Sequence, residues 1–176
     1  MAPDPSDGIR VKLCSEGSLT ADLRDPEWAV ERVLDDLWAM YGEPAPGGFA
    51  VMTREELDGK PFDGRMWAAG ATVGLELALS DLAKPLGEGV GIYGVVRDDV
   101  AVAVLLPVAW WRDALAAFAT EALFVAVPTP NRIFLAPAED IEAMDFLIDA
   151  WLEHPLATEP LTRNVFRFDG GWSVVA

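Results

Sequence analysis

Two apolar runs, Leu123 to Val127 and Ile133 to Ala136, flank Pro128-Thr129-Pro130-Asn131-Arg132. Proline has no backbone N–H and cannot donate to a sheet ladder, so two prolines here force the chain to leave the sheet between the runs. Asn131 suits a turn, and Arg132 restarts a strand with its side chain opposite Ile133. The stretch therefore predicts a rigid bend that sets the register of two core strands. Arg132 at its rim is a minor candidate for contacting an anion.

Around this marker the sequence alternates strand and helix signals. Met1 to Gly8 reads as a loose tail, and residues 9–176 as one domain, a size that 176 residues support. Ile9 to Cys14 alternates apolar and basic residues, as a half-buried strand does. From Asp25, with Pro26 at the first helical position, Val30, Val33, Leu34, Leu37, Trp38 and Tyr41 recur at helical spacing, predicting an amphipathic helix that ends at Gly42. Glu43 to Gly48 reads as a linker within the domain, and Phe49 to Met52 as a short strand. Thr53-Arg54-Glu55-Glu56 has the capping-box pattern and predicts a helical turn. Gly64 to Lys84 is Ala/Leu-rich and helical in pattern, ended by Pro85 and Gly87.

Further on, Gly91 to Val96 and Val100 to Leu106 predict two strands joined by a hairpin at Arg97-Asp98-Asp99. Pro107 to Glu121 and Glu139 to Glu153 predict helices. Asn164 to Phe168 and Trp172 to Val175 predict a closing hairpin over Asp169-Gly170-Gly171. Strand pairs joined by tight turns imply an α+β fold: a mainly antiparallel sheet with helices packed on one side.

The chemistry-bearing patterns are sparse. Gly89 to Gly94 matches G-x-G-x-x-G, but the glycines follow a helix-ending segment and enter a strand, the reverse of the order that presents amides to a pyrophosphate. No cofactor follows from it. Cys14 and His154 are each the sole residue of their type, so neither a disulfide nor a Cys/His zinc site is expected. His154 fits the C-terminus of a helix better than a catalytic pair. Asp98-Asp99 reads as a turn. No catalytic residue is assigned, although a carboxylate site assisted by Arg97, Arg132 or Arg163 in a loop-lined cleft is an alternative.

A net charge of −16 disfavours nucleic acid and anionic membrane surfaces and favours a basic protein partner. The start lacks a signal-peptide pattern, and the longest apolar run, Val100 to Trp111, is too short to span a bilayer. A cytoplasmic location is expected. On the Glu139–Glu153 helix, Glu139, Glu142, Asp145, Asp149 and Glu153 share one face with no Lys or Arg, and Phe146 lies near its centre. Aromatic and acidic residues in that arrangement suit a surface for a basic partner, so Glu142, Asp145, Phe146, Asp149 and Glu153 are the candidate partner-binding residues.

The order of hairpin, "LLPVAWW", helix, "ALFVAVPTPNRIFLAP" and closing "NVFRFDGGW" resembles the YtpQ-like family of bacterial proteins of unknown function, over about Gly89 to Trp172. The resemblance implies the strand–bend–strand–helix order and carries no catalytic residue. The chain departs from that family in its acidity and its lone His. By size and charge the sequence is also similar to immunity proteins that inhibit toxins, and to chaperones of secreted effectors. The expectation is a non-catalytic binding module, possessing no cofactor or metal. A secretion chaperone and a carboxylate/Arg enzyme are the alternatives.

Overall fold

The computed structural model describes residues 8–71, 85–87, 90–96, 99–140, 142, 145 and 161–175. They form an α+β fold with two antiparallel sheets. The N-terminal sheet contains β1 (Arg10–Ser15), β2 (Val30–Leu34), β3 (Leu37–Ala45) and β4 (Gly48–Val51). The second sheet has the order β10-β9-β7-β8-β6-β5. Its strands are β5 (Pro85–Gly87), β6 (Val90–Val96), β7 (Leu123–Thr129), β8 (Arg132–Pro137), β9 (Val165–Phe168) and β10 (Trp172–Val174). Among the described residues, no helix is long and apolar enough to cross a membrane.

The segment expected to be a helix from Asp25 to Tyr41 is instead the β2–β3 hairpin, which turns at Asp35-Asp36. β3 is the central strand: β1 lies on one edge, and β2 then β4 pair along the other. Their junction is closed by three backbone hydrogen bonds: Tyr41 N–H to Ala29 O, Met52 N–H to Tyr41 O, and Ala29 N–H to Met52 O. The two faces of β3 bury different neighbours. Leu37 and Ala39 enter the main core, while Trp38 and Met40 join a second cluster with Cys14, Leu19 and Val30. A strand apolar on both faces has consecutive apolar residues, which produced the false helical stripe. Glu43 to Gly48 is correspondingly no linker, but the end of β3 and its turn into β4.

A second correction concerns Val100–Leu105, a 3₁₀ helix rather than a strand. It follows Asp99, whose φ of 56° is left-handed, so Asp99 starts this helix and does not turn a hairpin. Val100 to Val104 are all buried. An element buried all round shows no polar face, so an alternating Val/Ala sequence carries no helical signature. The region after Lys84 also differs from expectation, because Pro85–Gly87 forms the edge strand β5.

Other elements follow their local chemistry. α1 (Arg54–Asp58) has the full capping box: Glu56 N–H donates to Thr53 Oγ1 at 3.2 Å, and Thr53 N–H donates to Glu56 Oε2 at 2.8 Å. The Thr53 N–H, and the Thr53 hydroxyl at 3.0 Å, donate to the Glu56 carboxylate and hold it below its ordinary range. α2 (Gly64–Ala71) is the described part of the helix expected to reach Lys84. Asp63 caps it by accepting from the N–H groups of Arg65 and Met66. α3 (Val108–Ala117) begins after Pro107, as predicted. The Asp169-Gly170-Gly171 turn joins β9 to β10, with Gly170 at φ 103°.

The proline bend itself is refined. β7 does not end at Pro128 but continues to Thr129, which pairs with Arg132 across a Pro130-Asn131 turn. The prolines express themselves as a register shift between Ala126 and Thr129. Pro128 O accepts from Leu161 N–H at 2.7 Å, and Pro130 O accepts from Ala101 N–H at 3.0 Å. Asn131 Oδ1 accepts from Asp99 N–H at 3.4 Å. The bend thus anchors both the buried 3₁₀ helix and the segment leading into β9. One apolar cluster then draws on both sheets, on Ala68 of α2 and on Trp111 and Ala114 of α3.

Candidate functional site

Of the acidic face expected on residues 139–153, Glu142 and Asp145 have helical backbone and exposed side chains. Phe146, Asp149 and Glu153 lie outside the described residues. Glu139 precedes the pair, exposed, and its carboxylate is held by two donors: Thr120 Oγ1 at 2.6 Å and Glu121 N–H at 3.4 Å. The Thr120 hydroxyl leads the causes that hold the Glu139 carboxyl below its ordinary range, with a smaller contribution from the Arg167 charge. Arg167 is itself paired with Asp169 at 3.4 Å. Glu121, Glu139, Glu142 and Asp145 are all exposed, and Glu121 and Glu139 lie just beyond the Leu123–Pro137 pair at the end of β7 and β8.

The alternative catalytic reading names three arginines. Arg97 lies outside the described residues, Arg132 is half-buried at the start of β8, and Arg163 is exposed ahead of β9. Among the described residues, no group of three or more His, Cys, Asp or Glu side chains is placed to hold a metal ion.

A polar cluster that the sequence reading did not identify joins segments far apart in the chain. Asp35 and Asp36, at the β2–β3 turn, meet Thr162 and Asn164, which precede β9. Thr162 Oγ1 donates to Asp36 Oδ1 at 2.7 Å, and Asn164 Nδ2 donates to Asp36 Oδ1 at 2.9 Å and to Asp35 Oδ2 at 2.8 Å. Thr162 Oγ1 also accepts from Asn164 N–H at 3.0 Å. Arg32 Nε donates to the Asp35 backbone carbonyl. Asp35 sits at φ 28°, a conformation Asp tolerates better than most residues, and these bonds hold it there. Asp35 and Asp36 fall off the apolar stripe of the helix expected from Asp25 to Tyr41, whereas as a turn signal they locate the hairpin. Nothing in Thr162 or Asn164 announces the pairing.

Because Thr162 is only 1% exposed, its hydroxyl needs these partners. A charge-assisted bond of this kind contributes roughly 1.5–3 kcal/mol. We predict that Thr162→Val lowers unfolding free energy by about that amount in an otherwise native chain. In an Asp36→Ala background the same change should cost well under half as much. Equal costs in the two backgrounds, measured by urea unfolding, would show that the clasp contributes nothing of its own.

Two more ionisable groups are displaced by burial. Tyr41 donates its hydroxyl hydrogen to Glu31, packs edge-on against Phe62 at 6.1 Å between ring centres, and abuts Gly64. Burial first, then the bond to Glu31 and the charges of Glu31 and Asp63, push the phenol far above its usual range. Tyr41 is thus a neutral donor at physiological pH. Cys14 lies in the second cluster, and burial pushes its thiol up to about 11. Since thiolate is the reactive form, the thiol should resist a disulfide reagent at pH 8 until the chain unfolds. Labelling of native protein as fast as of urea-unfolded protein would contradict that burial. The Trp38 indole N–H in the same cluster is buried without a hydrogen-bond acceptor.

What the arrangement offers chemically is a set of exposed acidic side chains and a clasp of satisfied polar groups tying the two sheets together. Comparison with protein-family models, curated proteins and solved structures finds no match to this chain.

Proposed function

We propose that this chain is a non-catalytic protein-binding module, acting in the cytoplasm as an inhibitor or immunity protein that takes a basic protein partner on its acidic surface. The observation that supports this reading is the exposure of Glu142 and Asp145, both with helical backbone, together with that of Glu139 and Glu121. The nearby cation, Arg167, is engaged with Asp169. In a chain of net charge −16, this surface attracts cationic proteins over distances of about a Debye length, 8–10 Å at physiological salt. Phe146, Asp149 and Glu153 extend the proposed contact along the same segment.

The test is capture from the native cell using the wild-type chain, a Glu142→Lys/Asp145→Lys variant, and a Glu55→Lys/Asp58→Lys variant carrying the same charge change on α1. The reading expects a basic protein to be retained by the wild type and the α1 variant and lost by the first variant. Retention by all three removes the acidic segment as the binding surface.

A further inference from the structure

We draw no further inference here: the strongest candidate, the apolar cluster on the outer face of the N-terminal sheet where the unpaired Trp38 indole N–H accompanies the Cys14 thiol, rests on a lone buried cysteine and a partly exposed tryptophan, with no second observation pointing to a ligand.

Discussion

Gly42→Ala is expected to be among the most damaging single-methyl additions in the molecule. Gly42 pairs with Arg10 of β1 on one side and Val51 of β4 on the other. A Cβ at this position would lie 2.1 Å from the backbone oxygen of Ala50 and 2.9 Å from Phe49 Cε1. The phenyl ring could rotate, but the carbonyl belongs to the adjacent strand and moves only if β4 separates from β3. Overpacking of this kind costs about 1–3 kcal/mol where side chains can yield, and more where backbone must. We therefore expect a loss of at least about 3 kcal/mol, a large share of the roughly 5–15 kcal/mol that holds a domain together. Gly48→Ala is the matched control on the same hairpin, because nothing lies within 4 Å of its added methyl. Its effect should stay within about 0.5 kcal/mol. Coincident urea midpoints for the two variants would mean that β4 does not cross Gly42 closely.

Trp111→Ala should be comparably severe, for the opposite reason. Trp111 is fully buried, and its indole N–H donates to Ala103 O at 3.1 Å. Its ring meets Trp172 at 4.8 Å, Trp110 at 5.0 Å and Phe168 at 5.8 Å between centres. The side chain thus joins α3, the buried 3₁₀ helix and the β9–β10 hairpin. Removing it leaves a large cavity and an unpaired carbonyl beside an element with no polar face, costing about 3–5 kcal/mol or more. Trp111→Phe keeps most of the volume and loses the hydrogen bond, and should cost about half as much. Thermal unfolding followed by far-UV circular dichroism separates the three proteins. An alanine variant that melts with the wild type would exclude this packing.

How much of this was legible depends on where each residue faces. Elements with one wet face or a capping signal could be read directly: β1, the Thr53 box, α3 and the β9–β10 hairpin over Asp169-Gly170-Gly171. The proline bend was legible as a turn, and its two prolines proved to shift register without ending β7. The failures share one cause. Where both sides of an element are covered, polarity no longer alternates, so Leu37 to Tyr41 imitates a helix and Val100 to Leu105 imitates a strand. Long-range pairing is invisible for a different reason. The clasp between Asp36 and Thr162 spans 126 residues, and neither residue carries a local signal for it. Of the candidate surface, Glu142 and Asp145 are exposed, and the support of Glu139 by Thr120 was not foreseen.

Under the proposed function, binding runs through the exposed acidic side chains Glu142 and Asp145. An exposed ion pair contributes up to about 1 kcal/mol, and reversal replaces attraction with repulsion of similar size. At about 0.5 kcal/mol per pair, two reversals remove about 2 kcal/mol and weaken a complex by more than about tenfold. The decisive measurement is the dissociation constant of the captured basic protein at low and high salt, for the wild type and for Glu142→Lys/Asp145→Lys. Wild-type affinity is expected to fall steeply as salt rises, and the variant to be at least about tenfold weaker at low salt with a shallower dependence. Equal affinities and equal salt dependence for the two proteins would contradict it.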